Sequence, residues 1–407
     1  LFFYGLFTIL GQVLNANGRF AGFMWAPALA NVVAVAGLVW FMQAGYPSGA
    51  SPADWTPAMI GILAGTATLS IAIQALALVI PLRRIGFRYR PVWGVRGHGL
   101  GEVSQVAKWT FGSLVVSQLG YVVTSRVLTG ATERGKVLGE SVSGLAAYQN
   151  AFLIVMLPHG LITVSLVTAL YTSLSEAASR DDTRQVRRYH DQGLRLPAVI
   201  IVPGCVFLAV LAPYITSTFF FSNSLDQTRA IAVVLSVIAW MAIPMSWTYL
   251  NDRVFYAHEM TWMSFRLQCV TTGVATIGAV VALQVDPART AMVLGAGQVL
   301  AFVVSAAVGF WVLRRMIGNL GLRATARTYA LLLLPAIVTA VGLLLAIGLL
   351  FPDLGETRGA AGLLAGGLVL GAAGAIQLGV TWGVASLFGV REISTALQPV
   401  TRRLRRR

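Results

Sequence analysis

The chain has 407 residues, of which 57% are apolar and only 11% charged, with a mean hydropathy of +0.74; soluble domains carry roughly 45–50% apolar and 25% charged residues. This composition excludes a soluble enzyme or a nucleic-acid-binding domain. The net charge of +15 does not change that, because most of the basic residues sit in short loops between apolar runs.

Leu1 opens inside the apolar run LFFYGLFTILGQVL, which reads as a helix entered part-way, with more chain expected upstream. After this partial helix at 1–14, ten complete spans are expected near 25–44, 57–81, 103–127, 147–175, 194–217, 228–249, 262–284, 289–313, 326–350 and 361–388. Each apolar run is long enough to cross about 30 Å of hydrocarbon as a helix. None shows the alternation of a barrel strand, and only helices or closed barrels satisfy their backbone in lipid. The predicted fold class is all-α, a polytopic membrane helical bundle.

Arginine marks every second loop. Arg83, Arg84, Arg88, Arg90 and Arg96 fill one, and Arg180, Arg184, Arg187, Arg188 and Arg195 the next but one. Arg253 follows, then Arg314, Arg315, Arg323 and Arg327, then the tail with Arg402, Arg403, Arg405, Arg406 and Arg407. The intervening loops carry far fewer, which predicts a cytoplasmic C-terminus by the positive-inside rule. Lys108 and Lys136 are the only lysines. The segment 176–193 (EAASRDDTRQVRRYHDQG) is amphipathic and reads either as a helix along the headgroups or, the simpler case, as a solvated connector. The tail TRRLRRR reads as a binder of anionic lipid, a stop-transfer signal or the cut end of a longer chain.

An ionisable group deep in a span marks function by default, because isolated charge is costly in hydrocarbon. The 15 carboxylates all fall in loops or at span ends, so an embedded acid of the kind a cation antiporter uses is not visible. His159 is the one titratable side chain near a span centre. It follows Pro158, and reads either as a histidine satisfied by the broken helical ladder or as a cavity-lining residue. Lys108 and Arg126 bracket the span 103–127, with Ser117, Gln118 and Tyr121 between them. That strip reads as interhelical glue or as a ligand site. Gln149 and Asn150 precede the kink and read as donors to a polar head group or as interfacial caps. Cys205 and Cys269 lie in apolar runs, giving no support for a disulfide or metal site. No phosphate loop, HExxH or GxSxG pattern occurs, so no catalytic residue, metal or cofactor is assigned. The glycines of GLLAGGLVLGAAGAIQLG at 362–379 read as close helix packing.

Three stretches together carry a family resemblance. Gly11, Leu14, Asn15, Arg19, Phe20, Pro27 and Asn31 form a G-x-x-L-N-x-x-x-R-F segment with a following P-x-x-x-N; Leu157, Pro158 and Gly160 lead into VSLVTALYTSLS; Phe255, Tyr256, Ala257 and Thr261 form F-Y-A-x-x-x-T. In order and spacing these resemble the MurJ/MviN family, lipid II flippases of bacterial peptidoglycan synthesis within the multidrug/oligosaccharidyl-lipid/polysaccharide exporter superfamily. The resemblance implies fourteen helices in two lobes, with two extra C-terminal helices lining a lipid groove. It therefore places the remainder of a truncated first lobe at 1–102, a complete six-helix lobe at 103–315, the two extra helices at 316–390 and a basic cytoplasmic tail at 391–407. The arginine that the family carries five residues before the L-P-x-G proline is replaced here by Leu153, and Gln149, Asn150 and His159 are the expected substitutes on that helix.

The expected function is translocation of an undecaprenyl-pyrophosphate-linked precursor from the inner to the outer leaflet of a bacterial plasma membrane by alternating access. Ser117, Gln118, Arg126, Gln149, Asn150 and His159 are the candidate substrate-binding residues. The alternatives are export of another polyprenyl-linked glycan, a small-molecule antiporter, or a non-transporting scaffold for cell-wall enzymes. A membrane-embedded transferase is disfavoured by the dispersed carboxylates. The expected partners are the lipid-linked precursor, membrane lipids and cytoplasmic regulatory or division proteins, with no nucleic acid. High Arg, Ala and Gly with two Lys is the composition of a GC-rich genome and points to an actinobacterial source.

Overall fold

The computed structural model describes residues 2–46, 54–87, 100–139, 142–357, 359–390 and 392–393. Arg88, Arg90, Arg96, Glu140, Arg358 and the basic tail lie outside the described residues, as does the side chain of Glu102. Among the described residues the secondary structure is entirely helical, and ten helices are long and apolar enough to cross a membrane, matching the ten spans expected. The chain divides into two compact units, residues 1–96 and 97–407.

In the first unit α1 (Phe2–Ala16), α2 (Phe20–Gln43), α3 (Pro57–Ala77) and the short α4 (Val79–Arg84) enclose a small core of Leu14, Ala26, Leu78 and Leu82. Thr56 starts α3, its Oγ1 accepting from the Met59 amide at 3.3 Å while Pro57 occupies the first helical position, where an N–H would have no partner.

The second unit begins with α5 (Leu100–Leu138) and α6 (Leu145–Pro158). A π-helical turn, His159–Val164, joins α6 to α7 (Ser165–Ser179). Then come α8 (Thr183–Val210), α9 (Ala212–Phe219), α10 (Leu225–Ile238), a 3-10 turn at Ala239–Met241 and α11 (Ala242–Ala257). The unit ends with α12 (Thr261–Ala282), α13 (Pro287–Ile317), α14 (Leu322–Leu350) and α15 (Gly359–Leu387). Ser224 and Gln227 form a capping box that starts α10. Gly321, with φ of +66°, supplies the left-handed step before α14 that a side chain would resist.

Two boundaries differ from the sequence reading. The amphipathic stretch 176–193 is neither one surface helix nor a loop: α7 runs on to Ser179, a tight turn follows, and Asp182 caps α8, accepting from the Gln185 amide at 3.0 Å. Apart from Arg180, Asp181 and Asp182 in the turn, its charged residues therefore stand on the ends of two spanning helices. The span expected to stop at 249 continues to Ala257, so Asp252 and Arg253 stand on α11 rather than in a loop.

The hydrophobic effect does not distinguish one apolar helix from another in lipid, so close packing and interhelical hydrogen bonds hold these elements together. α12 and α13 meet at a glycine pair: a Cβ placed on Gly278 would lie 2.7 Å from the Gly297 Cα. His190 on α8 pairs with Asn251 Oδ1 on α11 at 3.1 Å. Trp247 Nε1 on α11 donates to the Tyr329 hydroxyl on α14 at 2.8 Å, and that hydroxyl donates to the Leu194 carbonyl on α8 at 2.9 Å. Gln377 and Trp382 tie α15 to the carbonyls of Ala336 and Val199.

Candidate functional site

Side chains on four helices of the second unit, several of them polar, line a cavity of about 510 Å³. Ser117, Gly120, Tyr121 and Thr124 recur at i, i+3, i+4 and i+7 on α5, and Gln268, Thr271, Thr272 and Ala275 repeat that spacing on α12. Each set is a single helical face. α13 adds Gln298 and Phe302, and α6 adds Tyr148, Gln149, Phe152, Leu153 and Met156.

The opening follows from how these helices pair. α5 packs along α12 and α13, and a Cβ on Gly120 would come within 2.9 Å of the Thr272 methyl. α6 packs instead against α10, leaving space between the two groups. Gln149 Nε2 bridges that space, donating to the Tyr121 hydroxyl at 2.6 Å, while Gln268 Nε2 donates to Thr272 Oγ1 at 3.1 Å. The Tyr148 and Phe152 rings stack with centroids 6.5 Å apart and planes 16° from parallel, forming an aromatic surface on the α6 side. Among the described residues the wall carries no Asp, Glu, Lys, Arg or His.

Of the six candidate residues, Ser117 and Gln149 line this cavity. Gln118 and Arg126 are exposed on α5 and stand off its wall. Asn150, one residue from Gln149 and so about 100° further around the helix, faces a separate cavity of about 460 Å³ with Glu133, Asn223 and Asp226. His159 is 2% exposed and packs edge-on against Tyr249, with ring centroids 5.8 Å apart, inside the π turn. The helix therefore does not bring Gln149, Asn150 and His159 to one surface. Leu153 does reach the wall, so an aliphatic side chain occupies the place where the resemblance expects an arginine. The sequence reading missed Gln268, Thr272 and Gln298; Gln268, Thr271 and Thr272 at helical spacing within the apolar span 262–284 were the available signal for the first two.

The ten helical spans and a polar cavity between four of the helices are the architecture of a multi-pass membrane protein, and transporters place their substrate sites in such cavities. Residues 1–369 match the family described as MurJ, lipid II flippase. The chain belongs to that family. Its fold is similar to a structure titled lipid II flippase MurJ in an inward closed conformation, with a TM-score of 0.61 and 16% identity over 92% of this chain and 70% of the other. It is also similar to a MATE structure in a bent conformation, with a TM-score of 0.57 and 15% identity over 80% of this chain and 68% of the other.

Proposed function

We propose that this protein carries lipid II, the polyprenyl-pyrophosphate-linked peptidoglycan precursor, from the inner to the outer leaflet of a bacterial plasma membrane. The observation that carries the reading is the polar cavity, with no charged side chain among the described residues of its wall, in a chain of the lipid II flippase family. A head group rich in hydroxyls and amides needs such a wall to leave water, because each unpaired polar group would cost free energy in hydrocarbon. Ser117 and Gln149 are the substrate-facing members of the candidate set, joined by Gln268, Thr272 and Gln298. Within the second unit α14 and α15 pack on α8 as the two additional helices. The alternation of arginine-rich loops supports a cytoplasmic C-terminus. The antiporter alternative is less favoured, because the described residues of the wall include no carboxylate to bind and release a coupling proton or sodium ion.

The test is depletion of the full-length gene in its own host with lipid II measured separately in each leaflet. Loss from the outer leaflet with accumulation inside is expected. An unchanged distribution overturns the reading.

A further inference from the structure

We propose that the cavity between α5, α6, α12 and α13 is a subsite for the uncharged glycan of the substrate, and that the pyrophosphate is held elsewhere. This rests on the flippase reading and specifies which part of the substrate this wall recognises.

The chemistry of the wall selects the ligand. A pyrophosphate leaving water requires cations or a dense array of N–H donors, and the described wall supplies no charged side chain. It supplies planar amides and hydroxyls, each of which both donates and accepts, as sugar hydroxyls and acetamido groups also do. Much of that capacity is unspent. Gln149 uses one N–H on Tyr121 and Gln268 one N–H on Thr272, which leaves both carbonyl oxygens and the second N–H of each amide. Gln298, Ser117 and Thr124 make no side-chain hydrogen bond among the described residues, although all three face the cavity.

The geometry agrees with the chemistry. A sugar ring is amphipathic, with C–H groups on its faces and hydroxyls around its rim. The stacked Tyr148 and Phe152 rings offer an apolar surface on α6, while the three glutamines on α6, α12 and α13 surround the same space. About 510 Å³ lies within the range of cavities, roughly 300–1,000 Å³, that enclose small organic ligands.

The experiment compares binding of lipid II with binding of undecaprenyl pyrophosphate, which lacks the sugars, to the full chain in nanodiscs. The unsubstituted protein is expected to prefer lipid II. The double substitution Gln268→Leu with Gln298→Leu is expected to weaken lipid II binding about tenfold or more, the effect of losing two ordinary hydrogen bonds, while undecaprenyl pyrophosphate binding changes less than about twofold. A second variant, Gln298→Glu, keeps the side chain's shape and its accepting oxygen, exchanges the NH2 donor for a second acceptor and adds negative charge. It is expected to retain undecaprenyl pyrophosphate binding, whereas a pyrophosphate seated in this cavity would be repelled.

Parallel loss of both lipids in the leucine variant, unchanged lipid II binding in that variant, or loss of undecaprenyl pyrophosphate binding in Gln298→Glu each overturns the glycan assignment and leaves the flippase reading standing. Equal binding of the two lipids by the unsubstituted protein does the same. Binding of neither lipid by the unsubstituted protein overturns both.

Discussion

Replacing Gly278 by alanine tests whether direct backbone contact between α12 and α13 sets the geometry of the cavity wall. The added Cβ would lie 2.7 Å from the Gly297 Cα, and the reciprocal Cβ on Gly297 would lie 2.8 Å from the Gly278 Cα. Carbon atoms prefer about 3.5–4.0 Å, so the helices must part by about 1 Å at this crossing. The obstacle is backbone and cannot swing aside, which puts the cost near the upper end of the ~1–3 kcal/mol typical of overpacking. Alanine in place of glycine returns about 1 kcal/mol of helix propensity. The net expectation is a loss of about 2 kcal/mol, or about 30-fold in the folding equilibrium. Gly273→Ala is the matched control, because it lies on the same helix with nothing within 4 Å of the new Cβ. It should be neutral or more stable by up to about 1 kcal/mol. Unfolding of the purified variants in one detergent, monitored by circular dichroism, separates them. Equal stability of Gly278→Ala and Gly273→Ala would refute the argument. Because Gln268 and Thr272 stand on α12 and Gln298 on α13, the same separation should also weaken lipid II binding.

Two interhelical polar contacts give further tests. Tyr329→Phe removes the hydroxyl that links the Trp247 indole to the Leu194 carbonyl; stranding those groups should cost about 1–3 kcal/mol, measured by the same unfolding assay, and no loss would show that they find other partners. A double-mutant cycle of His190→Ala and Asn251→Ala should give a coupling near the ~0.6 kcal/mol average for buried contacts between membrane helices, and no more than about 1.7 kcal/mol. Strict additivity would show that the 3.1 Å contact between the two contributes nothing.

The spans were legible because crossing hydrocarbon requires long apolar runs, and arginine-rich loops punctuate them. Faces were not legible in the same way. In a helix that is apolar nearly all round, such as α6, nothing in composition says whether Gln149 or its neighbour Asn150 turns toward the cavity shared with α5, α12 and α13; the packing of α6 on α10 decides it. His159 is the clearest case, being conspicuous in sequence as a titratable group at mid-span yet buried against Tyr249. Gln268, Thr272 and Gln298 were inconspicuous because each is uncharged and single polar residues are common helix glue. Their significance appears only once α12 and α13 are seen to share a wall with α5. The limits of the loops failed for a different reason: α8 starts in the polar stretch at Thr183 because Asp182 caps it, and hydropathy does not register a cap.

The π turn at His159–Val164 gives a deletion test that depends on helical register alone. A π turn closes hydrogen bonds from i to i+5 and so accommodates one residue more than an α turn. Removing Leu161, which is 70% exposed, lets the segment close as α-helix while both flanking helices keep their phase. Ala151, Ile154 and Val155 on α6 and Val167, Leu174 and Ala178 on α7 then stay buried. Removing Ala169, also exposed but in regular α7, has no extra residue to absorb it and rotates everything beyond it by about 100° relative to α6. That would carry Leu174, Ala177 and Ala178 away from Val254 and Phe255, at about 2–5 kcal/mol for Leu174 alone if its loss resembles truncation to alanine. Both deletions remove an exposed residue, and they differ in whether an extra residue is there to absorb the change of register. The expected result is a folded, monodisperse protein for the Leu161 deletion and little or none for the Ala169 deletion, measured by fluorescence-detected gel filtration. Equal damage from both would mean that the π turn is itself required by its contacts, through Thr163 Oγ1 and Ser246 Oγ at 2.7 Å and the edge-on packing of His159 on Tyr249, rather than tolerated as an inserted residue.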